Sequence, residues 1–268
     1  MLAAQRQQLI VDETRRTGGV RLSELTRLLS VSEMTIRRDI DALAAAGLVV
    51  KVHGGATLRD GPSAEEPGFE AKSHRQLAEK EAVASAASEL VEPGQAIGLS
   101  AGTTTWRLAH HLGGIPDLTV VTNSIQVAEV LHRTGRTDLT VVLTGGVRTP
   151  SDALVGPVAV NAVRSLHLDV LFLGVHGISP DAGLTTPNLL EAETNRAFVA
   201  AAGKLVVVAD HMKWGVRGLS RICDLHEVDV LVTDAGLAAG ARAAIEEHVD
   251  RLVIAPKRRK AGLGRGAA

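Results

Sequence analysis

Hydrophobic positions along the chain change rhythm near residue 75. Residues 1–58 predict three short helices and a β-hairpin. Within LSELTRLLSVSEMTIRRDIDALAAA (22–46), Ile36, Ile40 and Leu43 recur at i, i+4 and i+7, so that one helical face packs inward. From 75 to 256, short apolar runs take over at 96–99, 118–122, 139–143, 169–173, 205–209, 228–232 and 251–254. They are rich in β-branched residues, do not alternate, and are separated by helical segments at 103–112, 124–133, 157–166 and 189–202. Strands buried on both faces have this texture. The pattern predicts an α/β domain on a mostly parallel sheet with helices on both sides.

Residues 59–74, RDGPSAEEPGFEAKSH, carry Pro, Gly and charge without an apolar period and read as a linker. The stretch 257–268, KRRKAGLGRGAA, is basic, then rich in Gly and Ala, and reads as a disordered tail. The expected division is a small module at 1–58, a linker at 59–74, an α/β domain at 75–256 and a tail at 257–268.

The small module has the markings of a helix-turn-helix. Ser23 and Ser32 are each placed to cap a helix, and only Ser30 and Val31 separate the two helices. Opposite its apolar face the second helix carries Met34, Arg38 and Asp41, flanked by Thr35 and Arg37. In a recognition helix this N-terminal half enters the major groove. Arginine bonds guanine edges or phosphates there, and Thr35 suits a phosphate or a thymine methyl. Residues 48–57, LVVKVHGGAT, read as a hairpin with Gly54 and Gly55 near its end. Lys51 and His53 are then candidates to touch the DNA backbone or minor groove as a wing.

Composition narrows the classes. A chain of 268 residues suits one small and one medium domain. With no Tyr, three Phe and two Trp, the core is aliphatic, which argues against base-stacking platforms. Net charge is −1, but residues 1–60 hold nine Lys and Arg against seven Asp and Glu, while the remainder is acidic. The single cysteine, Cys223, leaves no internal disulfide and fits a reducing cytoplasm. No apolar leader and no run of about 18 apolar residues is present, so a soluble cytoplasmic protein away from membranes is expected. His110 and His111 are adjacent and cannot act as i, i+4 metal ligands.

In the α/β part, apolar runs end in Gly-rich or polar turns at 100–105, 122–124, 144–146, 174–177, 209–213 and 233–236. Open α/β sheets bind ligands at the carboxyl ends of their strands. GLSAGTTT (98–105) stands between a strand and a helix, where backbone N–H groups, the helix dipole and hydroxyls suit a phosphate. No P-loop lysine follows, which argues against a nucleoside triphosphate. Gly98-x-Ser100-x-Gly102 also fits the nucleophile elbow of α/β-hydrolases. Those enzymes place the elbow after several strands, whereas here it follows the first. His176 and His211 lie at strand ends, with contact to a ligand or a plain polar role both open.

SEMTIRRDIDALAAAGLVVKVHGGA resembles the DNA-binding segment of DeoR/GlpR-type bacterial repressors. The S-x-x-T-I-R-R-D core matches at Ser32, Thr35, Ile36, Arg37, Arg38 and Asp39, and L-x-x-x-G-L…V-H-G-G-A matches at Leu43, Gly47, Leu48 and 52–56. The likeness continues to about residue 236. It implies a sensor domain similar in fold to ribose-5-phosphate isomerase, and a phosphorylated sugar or related metabolite as effector. Effector contacts are implied at Ser100, Gly102, Thr103, Thr104, Asn123, Gly146, Gly174, Glu191 and Lys213. Lys213, in ADHMKWG, keeps the family's A-D-x-x-K pattern and is the expected phosphate-neutralising cation. Two positions depart from the family: Ser100 stands where many members have Asp, and Asn195 where E-A-x-x-K-R has Lys, with Arg196 the candidate replacement. The paired aspartates of such isomerases are absent from GVHG (174–177), so binding is expected to be retained and catalysis lost.

The resemblance thus implies a transcriptional regulator of carbohydrate genes, by family habit a repressor. Its partners would be double-stranded operator DNA, the effector, and further copies in a homodimer or homotetramer. No cofactor or metal is expected. Two alternatives compete: an isomerase-like enzyme with an accessory DNA-binding module, and an architectural DNA-binding protein without an effector.

Overall fold

The computed structural model describes residues 2–17, 19–46, 48–52, 54–57 and 68–256. His53, Gly47, most of the expected linker and the basic tail at 257–268 lie outside the described residues.

The first unit runs α1 (Ala3–Thr17), β1 (Gly19–Arg21), α2 (Leu22–Leu29), α3 (Glu33–Ala45), β2 (Val50–Val52) and β3 (Gly55–Thr57). Its three strands lie in the order β1-β3-β2, all antiparallel. Ile36, Ile40 and Leu43 are buried as their spacing requires, against Ile10, Val20 and Leu25. Ser30 takes the left-handed conformation (φ 52°) that turns the chain between α2 and α3. Ser32 caps α3 as expected, its hydroxyl accepting the Thr35 N–H at 3.3 Å. Ser32→Ala is expected to cost about 1 kcal/mol, read as a lower melting temperature of this unit; an unchanged melt would contradict the cap.

Ser23 is not a cap. Pairing of β1 with β3 holds the chain extended through Arg21, and Leu22 N–H donates to the Gly54 carbonyl at 2.8 Å. The helix therefore begins at once after the strand, with Arg21 as its cap residue and Ser23 exposed in the first turn. Asp39 is buried against α1, paired with Arg6 (Nη2 to Oδ1, 3.1 Å) and accepting from Gln7 Nε2 at 3.2 Å. This tie fixes the rotation of α3 about its axis, and so the direction of its neighbours Arg37 and Arg38.

The second unit comprises α4 (Phe69–Ser73), α5 (Leu77–Ser88), β4 (Ala96–Leu99), α6 (Thr103–His111), β5 (Thr119–Thr122), α7 (Ile125–His132), β6 (Thr140–Leu143), β7 (Val147–Arg148), β8 (Leu154–Val155), α8 (Pro157–Arg164), β9 (Val170–Leu173), β10 (Gly177–Ser179), β11 (Gly183–Thr186), α9 (Leu189–Ala201), β12 (Leu205–Val208), β13 (Ser220–Cys223), β14 (Val230–Asp234), α10 (Ala239–Glu246) and β15 (Arg251–Ala255). Seven strands form a wholly parallel sheet in the order β15-β14-β12-β9-β4-β5-β6, one for each apolar run. Central β9 shows why the runs do not alternate: Val170 and Phe172 pack into one layer, Leu171 and Leu173 into the other, and all four are buried. Helices α5, α6 and α7 cover the first layer; α8, α9 and α10 cover the second.

Three features lie beyond the pattern. β10, β11 and β13 form a small antiparallel sheet, β7 and β8 pair as a ribbon, and α4 forms within the stretch read as linker. Phe69 of α4 meets Trp106 edge to face, ring centroids 5.8 Å apart. Among the described residues no helix is long and apolar enough to cross a membrane.

Candidate DNA-reading face and effector pocket

On α3, Met34, Arg37 and Arg38 are exposed and Thr35 is partly so. Neither arginine makes an ion pair among the described residues, whereas Arg6 on α1 is consumed by Asp39. The Thr35 hydroxyl lies 2.9 Å from that of Ser32, so the two share the start of the helix. On the wing, Lys51 is exposed and forms an ion pair with Asp41 at 2.5 Å, a pair that approaching phosphates would compete with.

A cavity of about 70 Å³ opens at the carboxyl ends of the parallel strands. Ala101, Gly102, Thr103 and Thr104 line one side, at the N-terminus of α6. A helix start leaves its first N–H groups without intrahelical acceptors, and the dipole there is positive. Lys72, Lys80 and Lys213 reach the same cavity. Lys80 is the unexpected member: it lies on α5 only 4% exposed, its ammonium donating to the Lys72 carbonyl at 2.7 Å. Burial, with Lys213, Arg107 and Lys72 nearby, lowers its pKa to about 8 despite the opposing pull of Asp210. Lys213 closes a 3₁₀ turn, His211–Lys213, whose start is capped by the buried Asp210.

The opposite side has other chemistry. Asn188 caps α9, accepting from the N–H groups of Leu190 (2.9 Å) and Glu191 (3.2 Å). Glu191 is held by three hydroxyls: Thr149 at 3.0 Å and Ser151 on one oxygen, Thr186 at 3.1 Å on the other. Asn195, one turn along α9, faces the same cavity, as do Gly174, Val175 and His176 from the turn after β9. Glu191 is the one carboxylate among the described lining residues. The pocket is therefore bipolar. One end offers ammonium groups and helix N–H donors to an anion; the other offers a fixed carboxylate and an amide to hydroxyl groups.

Several residues that the resemblance implied stand behind the wall instead. Ser100 is fully buried, its hydroxyl accepting the Gly174 N–H at 2.9 Å, so it shapes the turn without lining the cavity. Asn123 is spent on backbone: it accepts from Ala101 N–H (2.8 Å) and donates to the Leu154 carbonyl (3.1 Å). Gly146 is outside the lining; its φ of 121° and the Val155 carbonyl, 2.5 Å from where a Cβ would sit, require glycine for the β7–β8 ribbon. Arg196 does not replace the missing lysine, because its guanidinium turns away to the Arg221 carbonyl at 2.5 Å. Burial, with Glu227 and Asp224 nearby, pushes the Cys223 thiol up to about 12, leaving it unreactive. His211 lies outside this cavity, bonded through Nδ1 to Asp234 at 2.9 Å. Burial opposes its protonation, but Asp234 and Asp210 outweigh that and raise its pKa. Asp224, His226 and Glu227 bring three potential metal ligands together on the surface, with Asp224 paired to Arg221 at 2.6 Å and Glu227 bonded to the Asp224 N–H at 2.8 Å.

A winged helix-turn-helix joined to an α/β domain with a polar ligand pocket defines a DNA-binding regulator under small-molecule control. Residues 6–61 match the DeoR-like helix-turn-helix domain and residues 75–235 the DeoR C terminal sensor domain. The chain belongs to the DeoR family of transcriptional regulators. It is 34% identical to the putative aga operon transcriptional repressor of Escherichia coli O157:H7, over 88% of each chain. It is 30% identical to the glycerol-3-phosphate regulon repressor of Escherichia coli K12, over 92% of this chain and 97% of that one. Among solved structures, ribose 5-phosphate isomerase A from Neisseria gonorrhoeae aligns over 53% of this chain and 54% of its own, at 23% identity and a TM-score of 0.38.

Proposed function

We propose that the protein is a cytoplasmic, homo-oligomeric repressor of carbohydrate-metabolism genes whose grip on operator DNA changes when a phosphorylated sugar or related metabolite enters the α/β pocket. Residues 1–58 read DNA, 59–74 link, 75–256 sense, and the basic tail follows. The observation that carries this reading is the bipolar pocket. Lys80, Lys213 and the Thr103–Thr104 N–H groups at one end suit a phosphate, and Glu191 and Asn195 at the other suit sugar hydroxyls. The names of the relatives, an aga operon repressor and a glycerol-3-phosphate regulon repressor, support the role of a repressor of metabolic genes. With Glu191 the one carboxylate among the described lining residues and three hydroxyls already on that group, the pocket favours binding over proton transfer. Two half-sites on operator DNA call for at least a dimer.

The test is a thermal-shift panel of phosphorylated and free sugars, glycerol 3-phosphate included, followed by gel shifts with the active compound. A ligand that binds only the folded state must raise the melting temperature. Phosphorylated compounds should do so and their free sugars should not; a panel with no response sinks the reading. On the DNA side, Arg37→Ala and Arg38→Ala should each weaken operator binding by roughly 1–3 kcal/mol where the side chain reads a base. Unchanged affinity in both would remove α3 from the major groove.

A further inference from the structure

A second, larger cavity of about 650 Å³ separates the DNA-reading unit from the sensor. Val50, Val52 and Gly54 of the wing line one wall, with Arg21 at the start of α2. The facing wall is the sensor turn that follows β12: His211, Met212, Trp214 and Val216. Lys213 of that same turn lines the other cavity, the anion end of the effector pocket. One short segment thus forms part of both cavities.

Its geometry explains how. A 3₁₀ turn has three residues per turn, so side chains three apart project from the same side. His211 and Trp214 are three apart and both face the wing, while Lys213 lies between them in sequence and emerges on the ligand side. The turn has little slack. Met212 N–H is held by the Asp210 carboxylate at 3.1 Å, Lys213 N–H by the Asp210 carbonyl at 3.0 Å, and Gly215 N–H by the Ile178 carbonyl at 2.8 Å. His211 is fixed through both its N–H (2.8 Å) and its ring (2.9 Å) to Asp234. Gly236 closes in behind the ring: a Cβ there would lie 2.5 Å from His211 Nδ1. Arg21 is within electrostatic reach of His211 across the cleft.

We propose that the 210–216 turn is the transmission element between the two domains: an anion drawn to Lys213 shifts the turn as one piece, and His211 and Trp214 carry that shift to the wing. This rests on reading the α/β pocket as an anion site, and the experiment separates the two claims. Trp214 is a built-in reporter once Trp106→Phe has removed the other tryptophan. The probes are inorganic phosphate, followed by thermal shift, and a DNA duplex selected by the protein from a random pool. In the Trp106→Phe chain, phosphate that raises the melting temperature should also change Trp214 emission, and so should the duplex.

Gly236→Ala displaces the His211 ring without touching the effector pocket. It should keep the thermal response to phosphate but lose the response of duplex affinity, from about tenfold in the parent chain to less than about twofold. His211→Ala should behave likewise, and His211→Asn, which restores a donor near Nδ1, should recover the response; this pair decides the matter if Gly236→Ala does not fold. Variants that respond like the parent overturn the proposal. So does Trp214 emission that stays unchanged while phosphate stabilises the protein. If phosphate gives no thermal shift, the pocket reading fails by itself. Trp214 emission on adding duplex then decides the coupling: a change supports it and silence overturns it.

Discussion

Gly55→Ala is expected to abolish sequence-specific DNA binding while leaving the sensor folded. A Cβ at Gly55 would lie 2.0 Å from the Val20 carbonyl oxygen, 3.0 Å from its carbon and 3.1 Å from Arg21 Cα. All three are backbone atoms of β1, the strand paired with Gly55, so no side-chain rotation relieves the contact. The strands must part, and the strain passes directly into α2, because Leu22 N–H is anchored to the Gly54 carbonyl at 2.8 Å. Overpacking of this kind costs from about 1 to 3 kcal/mol and more where backbone must move. We expect at least about 3 kcal/mol, a large part of the stability of so small a unit. Calorimetry should show the melt of the reading unit lowered and that of the sensor unchanged, with gel shifts showing duplex affinity down a hundredfold or more. Intact binding would mean that β1 and β3 do not pair in solution.

Lys80→Met should move stability and ligand binding in opposite directions. The Lys80 pKa falls from 10.5 unfolded to about 8 folded, so folding disfavours its proton. Below pH 8 the buried ammonium subtracts stability, and the penalty fades as pH rises from about 8 towards 10.5. A shift of this size corresponds to about 3 kcal/mol, offset by about 1 kcal/mol for the lost hydrogen bond to the Lys72 carbonyl. Methionine fills similar space without charge. The ligand-free variant should therefore be more stable at pH 7 by about 1–2 kcal/mol, while its thermal response to phosphate disappears. In the parent chain, phosphate affinity should hold up to about pH 8 and then fall about tenfold per pH unit as Lys80 loses its proton. A destabilised variant that still responds to phosphate would place the anion elsewhere.

Lys80 also shows where sequence reasoning ran out. In LAEKEAVASAAS a lysine between glutamates reads as a solvated helical residue; only packing of α5 beneath the pocket reveals that it is enclosed. The seven parallel strands were legible because their runs are written in Val, Leu and Ile. The five inner strands β4, β5, β9, β12 and β14 are buried on both faces, whereas the edge strands β6 and β15 keep the same composition while partly exposed. β10, β11 and β7 were not legible, because GIS, GLTT and VR are too short and too polar to make an apolar run. Among polar residues at strand ends, type alone did not separate those that face a ligand from those that satisfy backbone. Thr103 and Thr104 line the cavity, whereas Ser100 and Asn123 hold its wall together. The inward face of α3 was readable because three apolar residues at helical spacing leave one solution; the start of α2 was not, because the partner strand that displaces the cap from Ser23 is remote in sequence.

The order of strands in the sheet bears on how the protein comes into being. Among the described residues the reading unit ends at Thr57, whereas the effector pocket is incomplete until Lys213 has been added, roughly 150 residues later. Central β4 finds β5 nearby but must wait for β9, more than 70 residues on, before the other half of the sheet can dock. At about 5–20 residues per second, a ribosome would expose a finished DNA-reading head for several seconds or longer before its control existed. A nascent chain paused in that interval could engage DNA but could not yet answer to a metabolite.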